Sequence, residues 1–336
     1  MCIRDRNILC VTLIALLGGC TSTSVTEKYQ DKRNDIINVK DKVIEFETGN
    51  VLIGSVSRLY MSNKCLLIAD HKSVDKQIHI FNKNDFSYLT SIGNFGEGPE
   101  EITVMGCLAI DEAHHQLYVS DHAKQKIFSY DMDSVMVDSL YKPQVKTAMN
   151  ETLFPSEYQY INDTLSIAVL IKPTSTSTFN QFLGRWNMNT GEMIPMKYTH
   201  PDIQKKRITF AASEKAGIYV ECYTRHDLMT ICSLDGELLY NIYGPDWDGG
   251  NGNKLQSFGT VMIGNDKIFV SYCGEDYARD SFPTKILVFD LEGNYLKTLE
   301  TGYKISDCCY DSFNNRIILS LNDVVQFAYL DIDGII

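Results

Sequence analysis

Short apolar runs alternate with polar turns along most of the chain, in a rhythm too quick for helices. The runs hold four to seven residues, favour Ile, Val, Tyr and Phe, and are closed about every ten residues by Gly, Asn or Asp, as strands joined by tight turns require. No segment beyond residue 40 keeps a helical apolar period for three turns. The grammar repeats six times. Each unit has an apolar strand, a polar turn, a second strand, a polar gap and a third strand closed by an acidic or glycine turn. The second strands read CLLIAD, QLYVSD, LSIAVL, IYVECY, IFVSYC and IILSLN, and the turns before them fall at Ser62, Asp111, Asn162, Ser213, Gly264 and Asp311, 47 to 51 residues apart. Four short strands in a period near 50 make a propeller blade. The pattern therefore predicts an all-β, six-bladed β-propeller of four-stranded antiparallel blades.

Ring closure adds a detail. Five units carry a fourth strand, read as SYLTSIG, VMVDSL, MIPMKY, LLYNIYG and YLKTLETG, whereas the sixth runs out at Ile336. The segment KVIEFETG, residues 42–49, alternates apolar with charged positions and belongs to no unit. It is expected to latch the last blade and remove an open edge. The propeller then spans 42–336, preceded by a flexible polar tether over 20–41.

The first residues supply an address. Arg4 and Arg6 precede the apolar run ILCVTLIALLGG at 8–19, which has the length of a secretory leader rather than of a membrane span. Leu17-Gly18-Gly19-Cys20 resembles the bacterial lipobox. The resemblance implies that residues 1–19 are a lipoprotein signal peptide, that Cys20 carries the lipid, and that the protein is held in the cell envelope; TSTSV after Cys20 has no acidic run, which points to the outer membrane with its side left open. Loss of the leader takes the formal charge from -12 to -13. Such a balance argues against nucleic acid and anionic membrane surfaces as partners. Of the cysteines after Cys20, most sit in apolar runs and read as buried free thiols. Cys222 and Cys232 are the exception, since a hairpin centred on His226 and Asp227 would bring them nearly opposite each other.

The stretch SIGNFGEGPEE, 91–101, looks at first like a phosphate cradle. Glu97, Glu100 and Glu101 would repel an anion, Pro99 offers no amide, and no Gly-Lys-Ser/Thr follows. It reads instead as the connector between the first two blades. GNFGEGPEEI followed by LAIDEAHHQLYVSDHAKQKIFSYD is similar to the repeat grammar of NHL-type propellers, and closest to the TolB-like six-bladed propeller lipoproteins of Bacteroidota. The resemblance is tight over about 60–131, departs at Glu100 where the pattern has Gly, and is skeletal afterwards. It implies the fold and no particular ligand.

In such blades the gaps between second and third strands share one face with the blade connectors, and here that face collects the long, chemically varied loops. Candidate site residues lie there. His71 and His122 follow Asp70 and Asp121 at equivalent places, and Arg225 and His226 take a similar place in the fourth unit. As metal ligands they would have to converge near the channel; otherwise each Asp caps its turn. Trp247, Tyr277 and Arg279 are loop residues of the kind that dominate recognition. In DWDGGNGN, Asp246, Asp248 and Asn251 could hold Ca2+, although the later Glu of an EF-hand loop is missing. No GxSxG, HExxH or other recognisable catalytic set is present. The expected function is a lipid-anchored, monomeric binding or scaffolding propeller that presents this face to a protein, peptide or glycan. The alternative is a hydrolase or lyase acting on carbohydrate or lactone-like substrates with a metal in the channel.

Overall fold

A computed structural model of the protein describes residues 26–138, 140–203, 206–252, 254–279 and 281–336; the expected leader and Cys20 lie outside them. Three short strands come first, β1 (Glu27–Tyr29), β2 (Ile36–Asn38) and β3 (Val43–Glu45). Blade one is β4 (Ser57–Met61), β5 (Cys65–Asp70), β6 (Lys76–Asn82) and β7 (Tyr88–Asn94), and blade two is β8 (Met105–Asp111), β9 (Gln116–Asp121), β10 (Lys126–Asp131) and β11 (Gln144–Ala148). Blade three is β12 (Phe154–Asn162), β13 (Leu165–Pro173), β14 (Phe179–Trp186) and β15 (Met193–Pro195), and blade four is β16 (Ile208–Ser213), β17 (Ile218–Tyr223), β18 (Leu228–Ser233) and β19 (Leu238–Tyr243). Blade five is β20 (Leu255–Gly264), β21 (Lys267–Asp276), β22 (Lys285–Asp290) and β23 (Tyr295–Glu300); β24 (Ile305–Asp311), β25 (Arg316–Leu321) and β26 (Phe327–Asp331) begin blade six. Strands within each blade pair in chain order and antiparallel, so the six-bladed propeller expected from the repeat is the fold.

The blade interiors explain why the second strands are apolar at every position rather than alternating. Each blade is sandwiched between two others, so both faces of its sheet are buried. In β5, Cys65, Leu67 and Ala69 pack into the seam with blade two, while Leu66 and Ile68 pack into the seam with blade six. A fully buried Leu or Ile is worth about 1.5–3 kcal/mol, and a change of register by one residue would only exchange the two seams. The turn residues, not the strand pattern, therefore fix the register.

The last blade is completed as the pattern predicts. β3 pairs antiparallel with β26, with Val43 opposite Leu330, Ile44 opposite Tyr329 and Glu45 opposite Ala328. The next residue, Phe46, stacks on Phe86 of blade one at 3.9 Å between centroids. The seam between the last and first blades is thus held in part by a residue that the N-terminal latch strand brings in.

Three expectations are corrected. The segment 20–41 is not a free tether throughout: β1 lies parallel to β19 and β2 parallel to β23, as fifth strands on blades four and five. Between them Arg33 reaches inward to a buried ion pair with Asp227 at 2.8 Å. Secondly, VMVDSL is not the outer strand of blade two. Met132–Val137 form the short helix α1, started by Asp131, whose carboxylate accepts the Ser134 amide at 2.7 Å, and β11 forms the outer strand further on. Finally, Cys222 faces Met229 and Cys232 faces Tyr219, because the hairpin turns earlier than expected. The two thiols point into different seams, and all seven described cysteines are buried and free.

Candidate functional site: the mouth of the central channel

The innermost strands β4, β8, β12, β16, β20 and β24 surround a channel of about 1490 Å³. Its two ends differ in chemistry. One residue per blade, Met61, Ile110, Ile161, Ala212, Ile263 and Tyr310, forms a largely apolar floor at the end of the inner turns. Each immediately precedes the turn that marks the repeat in the sequence, so the floor is a direct product of the 50-residue period. The other end is the mouth, where the gaps between second and third strands meet the connectors. Lys72 and His71 line it from blade one, His122 from blade two, Arg207 and Arg225 from blade four, and Tyr277 from blade five.

The loops at the mouth are built by a repeated device. Asp70 accepts the amides of Gly54 and Lys72 at 2.7 and 2.9 Å, tying the gap in blade one to the connector before it. Asp121 does the same in blade two with the amides of Thr103 and Ala123, at 2.8 and 2.9 Å. The residue after each aspartate donates its own amide to the connector, His71 to Val56 at 3.1 Å and His122 to Val104 at 2.9 Å. In blade four the equivalent bond runs from Thr224 to Arg207 at 2.9 Å, which sets Arg207 beside Arg225. Burial pushes the His71 and His122 rings below the ordinary histidine pKa, with Arg58 adding to the effect at His71 and Asp121 opposing it at His122. Both rings are neutral at physiological pH.

Below the mouth the channel's own carboxylates are already engaged. Glu157 on β12 pairs with Arg58 on β4 at 2.7 Å, a contact between blades one and three. Asp307 on β24 accepts the Leu59 amide at 2.8 Å and the Thr260 hydroxyl at 2.7 Å, stitching three blades together. Burial pushes the Asp307 carboxyl above its ordinary pKa, against these bonds. Lys72, Arg207 and Arg225 form no ion pair among the described residues. Arg225 instead lies over the Tyr277 ring, its guanidinium carbon 3.1 Å from the centroid.

The candidates read from the sequence divide accordingly: His71, His122, Arg225 and Tyr277 share the mouth, while His226, Trp247 and Arg279 do not line it. Trp247 is half-buried, with ring centroids 5.0 Å from Tyr243, 5.7 Å from His200 and 5.9 Å from His226. It packs against blade four. Arg279 sits in an exposed pair with Glu275 at 3.0 Å. The DWDGGNGN oxygens diverge: Asp248 caps the Gly252 amide at 2.7 Å, and Asp246 turns to the Tyr272 hydroxyl at 3.5 Å. Among the described residues, His, Cys, Asp and Glu side chains bring three potential metal-ligand atoms together at Asp111, His114 and Asp163, by the inner turns and outside the channel lining. Lys72, Arg207, Arg58 and Glu157 were not singled out by the sequence, because charges on loops and inner strands carry no periodic signal.

The glycine-rich connector is structural. Lys124 points its ammonium at the carbonyls of Gly98 and Glu101, at 2.5 and 2.6 Å, and Glu101 accepts the Gly98 amide at 2.8 Å. A Cβ on Gly96 would collide with the Glu101 carboxylate, so the close approach requires glycine there.

Fold and channel together define a six-bladed β-propeller with a polar mouth and an apolar floor. Residues 21–180 match the family DUF5128, described as a 6-bladed beta-propeller. No curated protein matches the chain. Among solved structures, a protein of Bacteroides fragilis described as exported is similar with a TM-score of 0.57 and 13% identity, over 88% of this chain and 87% of that one. A member of the DUF4221 family from Bacteroides vulgatus gives a TM-score of 0.61 at 11% identity, over 89% and 98%. A luciferin-regenerating enzyme gives 0.56 at 8% identity, over 85% and 94%. At these identities the likeness is one of fold.

Proposed function

We propose that the chain is an extracytoplasmic binding propeller, exported by residues 1–19, anchored through a lipid on Cys20, and capturing a partner at the channel mouth. The observation that carries the reading is the contrast between the two channel ends. The mouth gathers Lys72, Arg207 and Arg225 without ion-pair partners among the described residues, whereas the floor is a ring of mostly apolar side chains. Donors left open at the rim of a rigid scaffold are what a binding site needs. The address is supported by the likeness to a Bacteroides protein described as exported and by a family match that begins one residue after Cys20. The enzyme reading draws less support, because the group of side chains suited to a metal stands outside the channel.

Photocrosslinking in cells tests the site. A crosslinking residue at Lys72 should capture the native partner, whereas one at Phe313, 80% exposed in the last inner turn, should not. Capture from Phe313 alone would place the site on the wrong face. The anchor is checked separately: Cys20→Ser should abolish fatty-acid labelling, and an unlabelled wild type would refute it.

A further inference from the structure

We infer that the mouth selects an acidic polypeptide segment, one that alternates carboxylate and apolar side chains. The inference rests on the reading of the mouth as the binding site and adds the chemistry of what enters it.

The charge at the mouth runs against that of the whole chain. The protein carries a formal charge of -12, yet Lys72, Arg207 and Arg225 line the mouth with no ion-pair partner among the described residues, and the channel carboxylates Glu157 and Asp307 are bound to Arg58, Leu59 and Thr260. An anion is repelled over most of this surface and attracted here, which makes the site selective by contrast. Arg225 is also pre-organised. Stacking on Tyr277 uses the flat face of the guanidinium and leaves its in-plane N–H groups free, the edge that binds a carboxylate in bidentate fashion. Arg207 is fixed next to it by the Thr224 amide bond to its carbonyl.

The spacing of the cations favours an extended ligand. Arg207 and Arg225 belong to blade four and Lys72 to blade one, which stand on opposite sides of a ring of six. A single small carboxylate meets one side only; a chain bearing several can meet both.

The rim favours polypeptide over acidic carbohydrate. The mouth-face loops expose aliphatic side chains: Leu52 is 94% exposed, Val74 82%, Val104 50% and Val56 49%. These suit the apolar side chains of a peptide. Sugars are commonly held against an open aromatic face; at the mouth Arg225 takes one face of Tyr277, and the exposed rings of Phe95 and Phe179 do not line the channel.

The test uses the mature chain with Cys20→Ser and a fluorescent dodecapeptide alternating Glu and Leu, read by anisotropy. The Glu-Leu peptide should bind, its Lys-Leu counterpart should not, and added salt should weaken the complex. The double variant R207E/R225E should bind roughly tenfold or more weakly with unchanged thermal unfolding, while K215E, on the opposite inner turns, should match the parent. Equal binding of the Lys-Leu peptide, or full retention in R207E/R225E, would overturn the anionic selectivity. Binding of oligogalacturonate without binding of the Glu-Leu peptide would overturn the polypeptide class. If the peptide fails while Lys72 still crosslinks the native partner in cells, the inference falls and the mouth reading stands; if crosslinking fails as well, both fall.

Discussion

Replacing Arg33 by Ala removes the one cation that, among the described residues, pairs with the fully buried Asp227 carboxylate. The Asp227 side chain is 0% exposed and that of Arg33 8%. Without Arg33, the Asp227 carboxylate keeps, among the described residues, only the Asp246 amide at 3.2 Å and the Tyr272 hydroxyl at 3.5 Å, too little for a charge out of water. Breaking such a pair costs about 3–5 kcal/mol. The cost has a ceiling, because the carboxyl can take up a proton instead. Neutralising an ordinary carboxyl costs about 4 kcal/mol at pH 7 and about 1.5 kcal/mol at pH 5, at roughly 1.36 kcal/mol per pH unit. Burial already pushes Asp227 upward against Arg33, so in the variant its folded pKa moves further above the unfolded value. Stability from that bound proton is present in acid and lost as pH rises toward the folded pKa. The deficit of the variant relative to the parent should therefore be about 3–4 kcal/mol at pH 7 and no more than about 1.5 kcal/mol near pH 5. With unfolding entropy near 2.1 cal/mol/K per residue, the neutral-pH loss lowers Tm by roughly 5–6 °C. Denaturant titrations of the chain lacking the leader at both pH values measure it. Adding Asp227→Asn should recover a large part of the loss, since an amide needs no counter-charge. A deficit below about 1 kcal/mol, or one that is the same at both pH values, would mean that the segment carrying Arg33 is not part of the folded propeller.

Two other perturbations follow from the same structure. Phe46→Ala should cost about 3 kcal/mol or somewhat more, because the ring is 9% exposed between Phe86 and Phe327 at the closing seam; an unchanged denaturant midpoint would show that the latch does not hold the ring. His200 accepts the Asp202 amide through Nδ1 and meets the Tyr243 hydroxyl through Nε2, and burial lowers its pKa, so it contributes stability above about pH 6.5 that is lost as pH falls from there toward the folded pKa. Tm should fall between about pH 7.5 and pH 5.5, and less steeply in His200→Gln; identical slopes would contradict the assignment.

The sequence carried the fold well because the repeated unit is short and its turns are chemically explicit. Ser62, Asp111, Asn162, Ser213, Gly264 and Asp311 each end an inner strand in the structure or stand directly beside one. It failed where pairing leaves no local trace. β1 and β2 are three residues each, partly polar, and pair parallel with distant strands, so neither alternation nor a turn announces them. α1 replaced an expected strand because one carboxylate, that of Asp131, captured the Ser134 amide. The site was half legible. The Asp-His steps at 70–71 and 121–122 repeat with the blades and could be aligned, while Arg207 stands where the first two blades have Val56 and Val104 and so carries no repeat signal. Trp247, a loop aromatic with the composition of a recognition residue, packs against Tyr243.

The N-terminal segment links the fold to the proposed anchoring. Read as a free tether over 20–41, it would let the propeller tumble at distances of about 70 Å from the bilayer. With β1 already seated on blade four at Glu27, the stretch from Cys20 to Thr26 reaches about 20 Å at most. β1 runs parallel to β19, which heads from the turn after β18 toward the connectors of the mouth face. The chain therefore enters blade four from the side opposite the mouth. Under the proposed acylation of Cys20, the lipid would be held on the inner-turn side of blade four, and the mouth would open away from it. A cationic mouth directed at an anionic headgroup surface would be occupied by lipid; directed outward, it is free for an acidic partner arriving from solution.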